Sequence, residues 1–332
     1  MRIRSPHALA LAFAIGVAHT LLDAFPARAY CRATTNRAFQ PSPDKPCDDV
    51  GKPLFWRSGC VGYDFQRDAT ARAPLADAER AGAAAFSAWA NAACPSDLRA
   101  CAGPVAGRPS IAATNLGPVA CSRVEYSGDA GNANVVIFRD KDWPHGDREN
   151  SVALTTVHFD LDSGEIYDAD VEINGTNVTT TDDPTSVGFD LTSILTHEAG
   201  HFLGLAHTEP DHREAVMLGV YASGSLARAL APDDVCAICN VYPPGRAAAC
   251  DTTPRHGFAS ACRGEPGNVE RSTDIGPPFV VTGGCSSSGG LAGGQRCESV
   301  ALALSPALVI WVVIVRRRHR RASSISFRKF TE

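Results

Sequence analysis

A run of histidines in the second half of the chain has the spacing of a metal site. Residues 197–207 read H-E-x-x-H-x-x-G-x-x-H. On a helix, His197 and His201 lie one turn apart on the same face, so two imidazole nitrogens can approach one tetrahedral zinc ion. Gly204 can adopt the positive φ that ends a helix without a Cβ clash, which lets the chain bring His207 to the same ion.

Three neutral histidines would leave one coordination position of the zinc open for a water molecule. The pKa of that water should fall from about 15.7 toward 7. Glu198 follows the first ligand but is displaced around the helix, where it can accept the proton of the water rather than bind the metal. This arrangement is typical of hydrolysis. Roughly three in 10⁵ chains of this composition would carry the extended pattern by chance.

The chain around the motif predicts several strands and three helices. Strands are expected at residues 61–65, 133–138, 151–159 and 166–173, an alanine-rich helix at residues 75–94, and a loop rich in proline and glycine at residues 101–121. Asp190 is a natural N-cap for the helix that carries the motif, because its carboxylate can accept free backbone N–H groups. A last helix should begin at Pro232, with Asp233 and Asp234 complementing the positive end of its dipole.

A family resemblance begins ten residues beyond the third histidine. Met217, one of only two methionines, lies in the Ala-Val-Met-Leu-Gly segment at residues 215–219. This segment resembles the Met-turn that forms a hydrophobic floor beneath the zinc in metzincins. The segments at residues 190–196, 232–235 and 241–243 are most similar to the matrixin branch. The resemblance covers residues 51–244 and is most specific at the zinc helix.

The resemblance implies an α+β, metzincin-like catalytic domain. Its twisted mixed sheet would lie above a cleft, the zinc helix below it, and a small C-terminal subdomain would be closed by the last helix. It also implies one catalytic Zn²⁺, protein or peptide substrates, and an extended peptide paired with an edge strand. The residues then expected to line the cleft are Ala169, Asp170 and Val171 on the edge strand and Leu218, Val220 and Tyr221 in the pocket loop.

The chain also departs from the matrixin pattern. Matrixins carry an inhibitory propeptide in which the cysteine of a Pro-Arg-Cys-Gly type motif caps the zinc. This chain has no such motif, so how its activity is restrained is an open question. Asp170 stands where a histidine ligand of a second, structural zinc would be expected. Asp160, Asp162 and Gly164 could form a calcium turn, with an ordinary polar hairpin as the alternative.

The chain ends predict export. Residues 1–29 have the basic start, apolar run and Ala-x-Ala cleavage site of a signal peptide, with a buried helix as the alternative.

The twelve cysteines all follow this segment, and their even number in an exported chain predicts disulfides. Their connectivity cannot be read from the sequence. Cys236 and Cys239, which form a C-x-x-C, are expected to be bridged rather than redox-active or metal-binding.

The remaining segments lie on either side of the predicted catalytic domain. Residues 30–50 are expected to form an N-terminal arm, and residues 245–299, rich in Gly, Ser and Pro, a tether. Residues 300–315 are apolar and precede the basic tail at residues 316–332, which predicts a membrane segment, with a buried core helix as the alternative. This tail resembles the C-terminal sorting tags of some bacterial surface proteins, which implies a cell-surface or released protein.

Three functions remain open at this point. The first is an exported zinc-dependent endopeptidase with Glu198 as general base. The second is a non-catalytic surface module in which zinc only stabilises the fold, against which stands a carboxylate beside an open coordination position. The third is a zinc hydrolase that acts on a non-peptide bond. A nucleic-acid partner is not expected, because the net charge is −5 and the basic cluster is confined to the C-terminus.

Overall fold

The fold was analysed in a computed structural model of the chain. The structure describes residues 30–39, 45, 47, 48, 50–96, 106–145, 151–179, 188–222, 224–263, 279–287 and 294–303. The predicted signal peptide, most of the predicted membrane segment and the basic tail therefore lie outside the described residues. Within the described part of the chain, no helix is both long and apolar enough to cross a bilayer.

The first half of the domain is a twisted mixed sheet with one long helix. Its elements in chain order are β1 (Cys60–Gln66), α1 (Leu75–Ala90), β2 (Ala112–Val119), β3 (Val135–Phe138), β4 (Ser151–Phe159) and β5 (Ile166–Ile173). The strand order is β2-β1-β3-β5-β4, and only β4 runs antiparallel to its neighbour β5. The predicted α+β fold is confirmed.

The second half carries the zinc helix and the last helix. It contains the short parallel pair β6 (Val178–Thr179) and β7 (Phe189–Asp190), then α2 (Leu191–Phe202), β8 (Val220–Ala222) and α3 (Pro232–Val241). Two further strands, β9 (Phe279–Ser287) and β10 (Gly294–Ala303), extend the main sheet. Strand β9 pairs antiparallel with the outer edge of β4, β10 pairs with β9, and β8 pairs with β10.

Two segments differ from the sequence-based expectation. Strand β2 lies in what was predicted to be a loop. It is an edge strand, where proline is tolerated, and its residues alternate between exposed and half-buried. Strands β9 and β10 lie within the predicted tether, and β10 takes in residues 300–303 of the predicted membrane segment.

The core lies between the sheet and the two long helices. Helix α1 buries one face, which includes Phe86 and Trp89, as its helical spacing predicts. The ring of Phe86 stacks on Tyr63 of β1 at 4.1 Å and meets Phe202 of α2 edge-on at 5.1 Å. The indole of Trp89 donates to the backbone oxygen of Thr196 at 2.7 Å. These contacts fix the position of α2 relative to α1 and to the sheet.

Disulfides extend the domain beyond its predicted end at residue 244. The bridges between described cysteines are Cys31–Cys47, Cys60–Cys250, Cys94–Cys239 and Cys121–Cys262. Cys236 is also disulfide-bonded, so the bridged role predicted for the C-x-x-C is confirmed. Residues 245–263 are tied to β1 and to the end of β2, and Cys262 is buried in a small apolar cluster with Val119 and Val135. Residues 245–263 are therefore fixed to the domain and do not form the first part of the tether that the sequence predicted.

The burial of Asp64 on β1 predicts that the stability of the fold depends on pH. Val61, Tyr63 and Phe65 face the core, so alternation places Asp64 on the other face of the sheet. The residue is buried, its Oδ2 has no hydrogen-bond partner among the described residues, and burial raises its pKa to about 7.

Replacing Asp64 by asparagine should therefore stabilise the protein at neutral pH. From pH 4 to 7 the unfolded chain loses a proton that the folded chain keeps, so the free energy of unfolding of the native protein falls as pH rises. At pH 8 we expect Asp64→Asn to raise this free energy by about 1–2 kcal/mol in urea unfolding, and to have little effect at pH 4. Asp68→Asn, at an exposed site, is the matched control. An equal pH dependence in Asp64→Asn and the native protein would contradict this account.

Candidate metal centre

Helix α2 begins at a cap that the sequence predicts. The carboxylate of Asp190 accepts from the backbone N–H of Ser193 at 2.8 Å and from its hydroxyl at 2.6 Å. Arg228 forms a two-pronged ion pair with the same carboxylate, at 2.8 and 2.5 Å. The start of α2 is thus tied to the loop that follows the predicted Met-turn.

The three histidines of the motif converge at the end of this helix. His197 and His201 lie one turn apart on α2, and His207 follows the glycine that ends it. Gly204 has φ of +90°, and a Cβ there would lie 2.6 Å from the backbone oxygen of Leu54, so glycine is required for this turn. The Nε2 atom of His201 lies 3.1 Å from the Nε2 atoms of both other histidines.

Backbone carbonyls orient two of the imidazole rings. Nδ1 of His197 lies 2.6 Å from the oxygen of Val216, and Nδ1 of His201 lies 2.9 Å from the oxygen of Leu205. A carbonyl oxygen can only accept, so each Nδ1 carries the proton and each Nε2 keeps its lone pair. Both lone pairs are thereby available to a metal.

Burial keeps all three rings neutral. It lowers the pKa of His197 to about 4 and, with the charge of His197 as a second cause, that of His201 to about 3. Burial and the two neighbouring histidines also lower the pKa of His207 well below its usual value. Metal binding therefore needs no deprotonation of these ligands at neutral pH.

The histidine geometry fits zinc. In a tetrahedral site with Zn–N distances of about 2.0–2.1 Å, neighbouring ligand nitrogens are about 3.3 Å apart, close to the separation seen here. Nitrogen lone pairs this close repel one another, and a cation between them removes that cost. His197, His201 and His207 form a buried group that could hold one metal ion.

Glu198 is a buried carboxylate with one free oxygen. Its Oε2 accepts from the hydroxyl of Thr155 on β4 at 2.6 Å, whereas Oε1 has no partner among the described residues. Burial raises the pKa of Glu198 to about 8, and the Thr155 hydrogen bond opposes this shift. A cation close by would favour the ionised carboxylate, so the free oxygen is also consistent with a metal ion.

Met217 lies under the zinc helix, where the Met-turn resemblance places it. The residue is buried, and a Cβ added to Gly200 of α2 would collide with its sulfur. The backbone N–H of Met217 donates to Asp234 of α3 at 3.1 Å, and that of Val216 donates to the same carboxylate at 2.7 Å. Asp234 thus holds the turn whose carbonyl orients His197, a role that the sequence analysis missed.

The structure does not support the predicted cleft edge. Ala169, Asp170 and Val171 lie on β5, which is paired on both sides, with β3 and with β4. The carboxylate of Asp170 is buried and accepts from the backbone N–H groups of Val135 at 2.8 Å and Glu125 at 3.2 Å. These residues therefore stabilise the sheet and present no free strand edge to a peptide.

The other residues predicted at the cleft are only partly described. Leu218 is half-buried directly after Met217. Val220 and Tyr221 belong to β8, whose backbone pairs with β10, and their side chains lie outside the described part of the chain. Their predicted role in a substrate pocket stays a prediction.

The predicted calcium turn has the contacts of a polar hairpin. The carboxylate of Asp160 accepts from the backbone N–H groups of Asp162 and Ser163 and from the hydroxyl of Tyr167. Gly164 has φ of +81°, as the turn requires. These bonds engage both oxygens of Asp160 and match the alternative considered from the sequence.

The family comparison agrees with this site. Residues 129–243 match the family model of the matrixins. These residues form a matrixin-like domain. The match spans β3 to the end of α3 and so includes the three histidines and Glu198, and it supports a metalloprotease in general. No curated protein matches the chain.

The matrixin-like domain should bind one zinc ion tightly. His145 and His158 contact Glu172 and Asp168, respectively. The second group able to hold an ion, Glu209, Asp211 and His212, includes the exposed carboxylate of Asp211, which favours weak binding. Elemental analysis after dialysis should give one equivalent of zinc, which His197→Ala loses. Two equivalents, with one of them retained in His197→Ala, would contradict this expectation.

Proposed function

We propose that the chain is an exported zinc-dependent endopeptidase. The observation that carries this proposal is the combination of three neutral, convergent histidines with a buried carboxylate that keeps one oxygen free. The matrixin match supports peptide bonds as the substrate class. His197, His201 and His207 would hold the zinc through Nε2.

In the proposed reaction, the metal and Glu198 have separate roles. When bound, a zinc ion supplies Lewis-acid activation of the attacking water and of the scissile carbonyl. Glu198 accepts the proton of the water at its free Oε1 and delivers it to the leaving nitrogen, so that one carboxylate acts first as base and then as acid. His197 and His201 keep their protons on Nδ1 throughout, because the carbonyls of Val216 and Leu205 accept from these two rings.

Substrate access involves the outer edge of β4. This strand carries Thr155, the hydrogen-bond partner of Glu198, and its backbone pairs with β9 at residue 151 and at residues 154–157. An extended peptide can pair with β4 beside Glu198 only where β9 separates from it. Strand addition, as the resemblance implies, would thus compete with residues 279–287 of the same chain.

The alternative of a purely structural zinc is less well supported. A structural site closes its coordination sphere with four protein ligands, and the described residues bring only three to this ion. A buried carboxylate such as that of Glu198, whose Oε1 has no partner among the described residues, is costly and serves no structural purpose. Hydrolysis of a non-peptide bond has no specific observation in its favour.

Export is supported by the disulfides. Four bridges between described cysteines favour an oxidising compartment, in agreement with the predicted signal peptide. Attachment to the cell surface by residues 300–332 remains a proposal from the sequence alone. Sequencing of the mature protein should give Tyr30 as its first residue, and retention of residues 1–29 in the mature protein would contradict export by this route.

The proposed activity is tested with a diverse peptide library. The portion at residues 30–263, which retains the four described disulfides, and the full chain are incubated with the library, with and without a chelator, and the products are identified by mass spectrometry. Chelator-sensitive internal cleavage supports the proposal, and faster cleavage by the shorter portion would identify β9 as an obstacle. Ester hydrolysis without any peptide cleavage would favour the non-peptide alternative.

A further inference from the structure

A threonine on β4 makes the only side-chain hydrogen bond to the carboxylate of Glu198 among the described residues. Thr155 is fully buried, and its Oγ1 lies 2.6 Å from Oε2 of Glu198 and 3.4 Å from the backbone oxygen of the same residue. The hydroxyl has one proton to donate. The shorter distance assigns that proton to the carboxylate.

The two partners belong to elements that pack against each other, β4 and α2. Ala153 and Val157 on β4 face the core, so alternation directs Thr155 toward the helices. Its β-branched side chain has little freedom at χ1. Glu198, in contrast, has three rotatable bonds, so its carboxylate needs an external contact to be held in one orientation.

The hydrogen bond also distinguishes the two carboxylate oxygens. Oε2 is occupied by Thr155, whereas Oε1 has no partner among the residues that the structure describes. We propose that Thr155 is a positioning residue for the general base, one that fixes the carboxylate of Glu198 so that Oε1 is the atom that accepts the proton. This inference rests on the proposed peptidase function, since it concerns the same carboxylate.

A merely structural role for Thr155 makes different predictions. If the hydroxyl only needed an acceptor inside the core, valine of nearly the same shape would remove that need and leave turnover unchanged. If it positions Glu198, valine should lower turnover while the fold and the zinc remain. Thr156, the next residue on β4, is also buried but points to the opposite face of the sheet, so it provides a matched control.

The experiment compares Thr155→Val, Thr155→Ser and Thr156→Val in the full zinc-loaded chain. Loss of a hydrogen bond to a charged group that acts in the transition state lowers a rate constant by about 10- to 100-fold. We therefore expect Thr155→Val to lower kcat by at least about 10-fold. KM, the zinc content and the melting temperature should change little. Thr155→Ser, which keeps the hydroxyl, should stay within about threefold of the native kcat, as should Thr156→Val.

A second readout does not depend on activity. The ¹³C resonance of the Glu198 carboxyl carbon can be assigned by its absence in Glu198→Gln. We expect it to shift in Thr155→Val and to keep its native position in Thr155→Ser and Thr156→Val, because only the first change removes the hydrogen bond to Oε2.

The outcomes separate this inference from the proposed function. Native kcat in Thr155→Val, an unshifted carboxyl resonance in that variant, or an equal loss of kcat in Thr155→Ser would overturn the positioning role while the peptidase activity stood. A native chain that cleaves no peptide would overturn the proposed function and this inference together.

Discussion

Replacing Glu198 by alanine should lower kcat for peptide hydrolysis by at least about 10², the usual scale of a positioned general base. The zinc should remain bound, because its three ligands lie on other residues, two of which, His197 and His201, are oriented by the carbonyls of Val216 and Leu205. The fold should be preserved or slightly stabilised, since the substitution removes a buried carboxylate with a free oxygen.

The measurement is single-turnover cleavage of a peptide, with zinc content determined on the same samples. Glu198→Gln is the matched variant, because it keeps the size of the side chain and the acceptor for Thr155 but cannot take a proton. Its kcat should fall by a similar factor. Full activity in either variant would show that the proton goes elsewhere.

The second large effect is expected on stability, at Asp234. Its carboxylate accepts from three backbone N–H groups, those of Val216 at 2.7 Å, Met217 at 3.1 Å and Ala231 at 2.9 Å. Asp234→Ala would leave these buried donors without partners, at about 1–3 kcal/mol each. We therefore expect the free energy of unfolding to fall by roughly 3 kcal/mol or more, and zinc to bind more weakly because Val216 orients His197.

Asp233→Ala provides the control for this prediction. Asp233 is the adjacent acidic residue of α3 and accepts from the hydroxyl of Thr208, so its loss affects one hydrogen bond instead of three. Urea unfolding should show a loss of about 1 kcal/mol for Asp233→Ala. Equal losses in the two variants would mean that Asp234 acts only through its charge at the helix start, as the sequence suggested.

The zinc helix could be predicted because its determinants are local. The spacing of His197 and His201, the glycine that ends the helix, and the Asp190 cap all lie within residues 190–207, so helix geometry alone places them. The same is true of α1, whose apolar face follows from its periodicity, although the helix ends at Ala90, four residues before the predicted boundary.

The errors arise where partners are distant in sequence. Strand β5 was expected at the edge, but it is inserted between β3 and β4, and no local pattern reveals that order. The bridges Cys60–Cys250 and Cys121–Cys262 join residues 190 and 141 positions apart, so the true end of the domain could not be read from spacing. Polar residues of the interior were missed because their partners are also distant in sequence. For Thr155, whose partner is Glu198, the only signal in the sequence was a pair of threonines in an apolar strand.

We propose that one zinc ion on the three histidines drives peptide hydrolysis. The most direct measurement is titration of the metal-free full chain with zinc, in which the rate of peptide cleavage and the amount of bound metal are followed together. The rate should rise linearly and stop at one equivalent, whereas His207→Ala should show neither tight binding nor cleavage over the same range. Cleavage before zinc is added, or a fully loaded chain that cleaves no peptide, would contradict the account.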